Sequence, residues 1–262
     1  YGGTVSGNDA KSGGGVYIKA GTFKLGGGNI EGNTTTEGAG GGVRVEGGTM
    51  TMSGGKVSGN TSATNGGGIY TAGGIGLTMS GGEISGNTAA SNGGGMLVQG
   101  ALVMTGGTVS GNTTTEGPGG IFYGSTMTLS GNVKIYNNTL KGTTPFNLRV
   151  GSVPVTIGEG GMGAEAKVYI TYTYNADTKL VANASDTDYS GTFFSDNEKY
   201  TVSYNENKQL VLATMYQSHR HCLCGDGQNE NCQQNSSCQK ISFYCSFQFY
   251  YLPFFFYLEN SK

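Results

Sequence analysis

Charge is scarce in this chain, and neither sign dominates. Lys, Arg, Asp and Glu together make up 12% of 262 residues, with a formal net charge of −2. A surface this neutral offers no polycationic patch to nucleic acid or to an anionic membrane, so neither partner is expected. Tryptophan is absent, proline occurs four times and histidine twice. No run of 18 apolar residues exists, which excludes a membrane-spanning helix of ordinary length. Hydrophobic residues reach only 35%, yet chains that stay unfolded usually combine low hydrophobicity with high net charge, and here the charge is missing.

Glycine fills the gap, at 50 positions. Collagen would require it at every third residue, but here it comes in pairs and triplets, so an internal repeat is the first thing to look for. One phrase recurs with small changes: GGTVSGN from Gly2, GGNIEGN from Gly27, GGKVSGN from Gly54, GGEISGN from Gly81, GGTVSGN from Gly106, and a decayed NVKIYNN from Asn132. The starts are 25, 27, 27, 25 and 26 residues apart. About ten residues after each phrase comes a glycine step into apolar residues: GGGVYI (13–18), GGGVRV (40–45), GGGIYT (66–71), GGGMLV (93–98) and PGGIFY (118–123). A closing segment follows: TFKL (22–25), TMTM (49–52), GLTM (76–79), ALVM (101–104) and TMTL (126–129).

Period-two alternation reads these three segments as short strands. Val43-Arg44-Val45 fixes the phase of the step, because an unpaired Arg would be costly inside. The inward step residues are then Val16, Val43, Ile69, Met96 and Ile121, flanked by Ile18, Val45, Thr71, Val98 and Tyr123. The phrase contributes Val5, Ile30, Val57, Ile84, Val109 and Ile135. The closing segment contributes Phe23, Met50, Leu77, Leu102 and Met127, with Leu25, Met52, Met79, Met104 and Leu129. One coil cannot bury its own inward residues, but stacked coils share a continuous core. The expected fold is therefore all-β, a right-handed parallel β-helix of about 26 residues and three short strands per coil, with a C-terminal β cap. Regular coils are expected over 1–145, with degenerate coils and the cap over 146–215.

Asn8, Asn33, Asn60, Asn87, Asn112 and Asn138 close successive phrases and predict a structural ladder, each amide bonding to its neighbour and to turn backbone. Asn33-Thr34-Thr35 and Asn112-Thr113-Thr114 also match the N-glycosylation pattern, but the ladder is the preferred reading. The segments Ile84-Ser85-Gly86-Asn87 and Gly93-Gly94-Gly95-Met96 resemble the FxxN and GGAI repeats of polymorphic outer-membrane proteins, with Val or Ile at the Phe position. They resemble still more the right-handed β-helix repeats of large surface proteins from anaerobic gut bacteria, over about residues 1–140. That resemblance implies an adhesin-like protein, extracellular or on the bacterial cell surface. It also brings in structural relatives that are pectate-lyase-like enzymes, so fold alone does not assign function.

Further along, FNLRV (146–150), VPVTI (153–157), KVYITYTY (167–174), KYTVSY (199–204) and QLVLAT (209–214) read as strands, with Asn205–Lys208 as a hairpin turn. Composition changes after Tyr216: all five Cys and both His lie in the last 47 residues. His219, His221, Cys222, Cys224, Cys232 and Cys238 supply metal-ligand chemistry at a spacing that matches no standard zinc motif. Disulfides with one Cys left over, or neither bond type, are equal readings. Ten aromatics crowd residues 243–258 without strand or helix period, which reads as a shifted frame or a truncation scar. The repeat starts at once from Tyr1, so the chain reads as a mature product or a fragment, with its export signal outside it.

No catalytic residue and no cofactor are assigned. Asp9, Glu31, Glu37, Glu46, Glu83 and Glu116 are spread over different segments, unlike the paired or calcium-holding acids of β-helix lyases and hydrolases. Those polysaccharide-degrading activities are the alternative function. Ice binding through Thr49/Thr51 and Thr126/Thr128 is a more distant one, because Lys24 and Val103 interrupt the threonine columns. The expected binding surface is the outward column of the step: Tyr17, Arg44, Tyr70, Leu97 and Phe122. Apolar and aromatic side chains one coil apart suit sugar rings or a loop of a host or surface protein. A monomer presenting that face to a glycan or a protein partner is the expected function.

Overall fold

A computed structural model describes residues 2–150, 152–172, 179–183 and 185–214. The Cys- and His-bearing segment 216–262, with all six proposed metal ligands from His219 to Cys238, lies outside the described residues. The chain up to Thr214 forms one compact unit. It is a right-handed parallel β-solenoid of about seven turns, each of about 26 residues. No helix is present among the described residues that is long and apolar enough to cross a membrane.

Each phrase forms a three-residue strand, from Thr4–Ser6 through Asn29–Glu31, Lys56–Ser58, Glu83–Ser85 and Thr108–Ser110 to Lys134–Tyr136. The steps (Val16–Ile18 to Ile121–Tyr123) and the closing segments (Thr22–Leu25 to Met127–Gly131) form two further walls of parallel strands. A fourth wall runs between phrase and step. Its strands have only two residues, as in Asp9–Ala10, Thr34–Thr35, Thr61–Ser62 and Thr88–Ala89. A regular coil therefore has four strands where the alternation predicts three.

Register is constant through the regular coils of every wall: Val5 pairs with Ile30, Ile30 with Val57, Val57 with Ile84, and so on. Repeats of 25 and 27 residues keep it because the length differences fall in corners. The inward columns form one continuous buried core, with Val43, Ile69, Met96 and Ile121 of the step wall completely buried. Among the described residues the first coil pairs on one side only, and its Val5 is 36% exposed. Two inward residues of the step wall are polar and both are satisfied. Thr71 Oγ1 donates to the Ile75 carbonyl at 2.7 Å, and Tyr123 Oη to the Val153 carbonyl at 2.6 Å.

The glycine triplet has a separate reason at each position. Gly40 lies in the left-handed region at φ 76°, which side chains disfavour. A Cβ on Gly41 would stand 2.5 Å from the carbonyl oxygens of both Gly67 and Thr61. A Cβ on Gly42 would stand 2.9 Å from Asn60 Nδ2 and 3.0 Å from Val57 Cγ1. The same collision with the next coil's Asn faces Gly15, Gly68, Gly95 and Gly120.

The far end departs from the repeat. Lys167–Thr171 pairs through Lys167 and Val168 with the last phrase strand, and through Ile170 and Thr171 with Leu148–Arg149 of the step wall. One straight strand thus fuses two walls into a 14-stranded sheet, and the corner between them is missing from that coil. The short wall stops at Thr144–Pro145, which runs antiparallel to Thr139–Leu140. Val155–Met162 extends the closing wall, followed by Lys179–Ala182 and the antiparallel hairpin of Tyr200–Tyr204 with Leu210–Thr214. The chain turns through Asn205–Lys208, with Lys208 at φ 59°. Lys179–Ala182 and Phe193–Ser195 are strands that the alternation did not predict.

Gly42→Ala is expected to lower unfolding stability by roughly 1–3 kcal/mol in urea, the range for overfilled cores. Gly26→Ala places its Cβ 3.6 Å from the nearest atom, Ser53 Oγ, and is expected to stay within about 0.5 kcal/mol of the parent. Equal effects from the two substitutions would contradict the clearance argument.

Candidate functional site

The asparagines close the gap left by the missing Cβ atoms. Asn33, Asn60, Asn87, Asn112 and Asn138 are fully buried. Asn60 shows the pattern. Its Nδ2 donates to Asn87 Oδ1 and to the Ile30 carbonyl, each at 2.9 Å, while its Oδ1 accepts from the Asn33 backbone N–H at 3.0 Å and from Asn33 Nδ2 at 2.9 Å. Both donors and both lone pairs of the amide are thus used. Nδ2-to-Oδ1 bonds of 2.8–2.9 Å run from Asn8 through to Asn138, always donating toward the C-terminal end. The Nδ2 atoms of Asn33 and Asn112 are committed to these bonds, so the folded chain offers neither for glycan attachment.

The row continues where no phrase predicts it. Asn138 Nδ2 donates to Asn147 Oδ1 at 2.9 Å, only nine residues on. Asn147 stands immediately before its step-wall strand, where regular coils have the third glycine, and its carbonyl accepts from Ile121 N–H as Gly42 accepts from Val16. Its side chain enters the space that a seventh phrase Asn would have filled. Asp196 ends the row: Asn147 N donates to Oδ2 at 2.9 Å and Asn147 Nδ2 to Oδ1 at 2.6 Å. Thr171 Oγ1 also donates to Oδ2. A carboxylate is a strong final acceptor for a file of amides polarised in one direction.

On the outside, the step column stands in strict register: Tyr17 beside Arg44, Arg44 beside Tyr70, Tyr70 beside Leu97, and Leu97 beside Phe122. The Arg44 guanidinium carbon lies 5.9 Å from the Tyr17 ring centre and 5.2 Å from that of Tyr70. Its Nη1 donates to Ser12 Oγ at 2.9 Å and its Nη2 to Glu46 Oε1 at 3.2 Å. Arg149 lengthens the column by one coil, its guanidinium carbon 5.4 Å from the Phe122 ring centre. It makes no ion pair among the described residues.

One member departs from the expected exposed ribbon. Leu97 is only 6% exposed, whereas Tyr17 is 46% exposed. Leu97 is the shortest apolar side chain in the column, and the rings of Tyr70 and Phe122 one coil away on either side shield it. The face is therefore a stack of rings and guanidinium groups with an apolar filler beneath, rather than five equivalent contacts. Arg149 and Ser12 were missed as members because neither lies in one of the five repeated step segments, whereas Glu46 stands at the border of the column as its sequence position predicts.

The carboxylates of Glu37, Glu83 and Glu116 are taken up singly. Glu37 pairs with Lys11 at 3.1 Å and Glu83 with Lys56 at 3.1 Å, each across neighbouring coils. Glu116 accepts from Ser91 Oγ at 3.3 Å. A hydrogen bond from Ser85, then the Lys56 ammonium, hold the Glu83 carboxyl below its ordinary value. That contribution is present above the usual carboxylate range and is lost as pH falls through the lowered value. Among the described residues, no group of three or more His, Cys, Asp or Glu gathers as metal ligands.

Asn87→Ala is expected to cost on the order of 3 kcal/mol, since it strands buried partners in both neighbouring coils. Asn8→Ala, at the exposed start of the row, is expected to cost less than about 1 kcal/mol. Chemical denaturation of the two variants checks this; similar losses would mean that the ladder has no cumulative role.

Compared with known proteins, the chain matches no family model, no curated protein and no solved structure.

Proposed function

We propose that this is an extracellular or cell-surface binding protein of adhesin-like type, whose solenoid presents the step wall to a glycan. The observation that carries this reading is the outward column Tyr17, Arg44, Tyr70, Leu97, Phe122 and Arg149. It offers rings and guanidinium groups at one coil spacing, about 4.8 Å, comparable with the advance of one sugar residue along a polysaccharide. Aromatic faces take the C–H face of a pyranose, and neighbouring polar groups take its hydroxyls. Arg44 is held on both sides, so little ordering is needed on binding. Arg149, without an ion pair among the described residues, adds attraction for carboxylate- or sulfate-bearing sugars. The resemblance of the repeats to those of bacterial surface proteins supports the same reading. A protein loop is the other occupant this face suits.

The test is a glycan array probed with the full chain and with a Tyr17→Ala/Tyr70→Ala/Phe122→Ala variant of unchanged circular dichroism. Specific binding by the parent is expected, with a loss of about tenfold or more in the variant. Binding that survives the triple substitution would remove the column as the glycan site. Release of shortened products from pectin or mucin would instead make the chain a polysaccharide-degrading enzyme.

A further inference from the structure

The missing corner of the last coil leaves a cleft of about 380 Å³ at the end of the asparagine row, within the usual size range of small-ligand sites. Asn137, Pro145, Tyr169, Ser195 and Asp196 line it together with the last ladder amides. We infer that this cleft is a second binding site, for a single neutral pyranose or a disaccharide. The inference does not rest on the step-wall column, which is built from other residues.

Breaks in the repeat make the cleft. In the five preceding phrases a glycine at φ 63° to 67° stands just before the Asn: Gly7, Gly32, Gly59, Gly86 and Gly111. At the sixth, Asn137 takes the same left-handed conformation at φ 55°. The conformation costs an L-residue roughly 1–2 kcal/mol, less for Asn than for others. A polar side chain is thereby held at the mouth of the cleft, where the other coils have none. Pro145 ends the short wall and turns an apolar ring toward the same space.

The wall and floor supply the chemistry of sugar recognition. The Tyr169 ring stacks on Phe194 with centroids 5.1 Å apart and planes at 27°, while the Lys167 ammonium lies 5.4 Å from the Tyr169 ring centre. Tyr169 is thus held between these neighbours, and it also lines the cleft. Asp196 lines the same cleft, with about four lone-pair directions on its two oxygens. Three are filled, by Asn147 N, Asn147 Nδ2 and Thr171 Oγ1. The direction left on Oδ1 accepts a hydroxyl from a ligand. A metal cation does not suit this carboxylate, because three donors already point their hydrogens at it. A neutral polyhydroxylated ring with one apolar face suits a cleft lined by both Tyr169 and Asp196.

Saturation-transfer NMR on the full chain, with the methyl pyranosides of glucose, galactose, mannose and N-acetylglucosamine as probes, tests this. Asn137→Gly is the decisive variant, because glycine suits φ 55° and stability should hold or rise while the polar side chain is lost. Transfer to at least one probe is expected in the parent, with affinity lowered by about tenfold or more in Asn137→Gly and in Tyr169→Ala. The Tyr17→Ala/Tyr70→Ala/Phe122→Ala variant is expected to keep it. No transfer to any probe, or transfer unchanged in both cleft variants, would overturn the inference. Loss in the triple variant alone would assign the sugar to the step wall and equally overturn it.

Discussion

The fold depends on an amide row that needs an absent methyl carbon opposite it. Each buried Asn has room because the third glycine of the facing step carries no Cβ; at Gly42 such an atom would stand 2.9 Å from Asn60 Nδ2. The Gly triplet and the phrase-ending Asn are therefore two halves of one device. It also sets the spacing of the coils. Amide-to-amide bonds of 2.8–2.9 Å are satisfied only where the strands stack at about 4.8 Å. A slip of one residue would move Asn out of the corner and turn every inward Val, Ile and Met toward solvent.

A directional row must end somewhere, and its end shapes the cap. Every Nδ2 donates in the same sense, so the last amide needs an acceptor that is not another amide in a further coil. Asp196 takes that place, 49 residues after Asn147 in the chain, and the strand that cuts the corner brings Thr171 to the same carboxylate. The two donors that serve a single oxygen in each regular coil are there divided between two oxygens. The cap is thus more than a cover for apolar edges: it supplies the charge on which six coils of aligned amides terminate.

What could be read in advance follows from where the information lies. Phrase, step and closing strands alternate in type and repeat in phase, so Arg44 alone was enough to orient the whole step wall. The fourth wall was illegible because pairs such as Thr34–Thr35 and Thr61–Ser62 are too short to alternate. Asn147 and Asp196 carry no motif, and their role exists only because a strand crosses a missing corner. Outward direction was legible for Leu97, but its burial was not, since that depends on the volume of the rings beside it. The strands Lys179–Ala182 and Phe193–Ser195 owe their state to the edges they meet rather than to their own pattern.

A repeat that solves the folding problem identically in each coil has no means of being specific at the positions that solve it. The inward columns hold Val, Ile, Leu or Met interchangeably, and the ladder holds Asn throughout the regular coils. Specificity has to come from positions that the stacking leaves undetermined, or from places where the stacking stops. The outward step column is the first kind: Tyr, Arg, Tyr, Leu, Phe and Arg follow one another with no constraint from the core, and the partner proposed for such a face is extended. The cleft beside Asp196 is the second kind, lined in part by residues that break the repeat, such as Asn137, Pro145 and Asp196, and the ligand proposed for it is small. A rigid solenoid fixes both at low entropic cost to the ligand-binding groups. Its physics therefore favours a scaffold for recognition, with the chemistry carried by the exceptions.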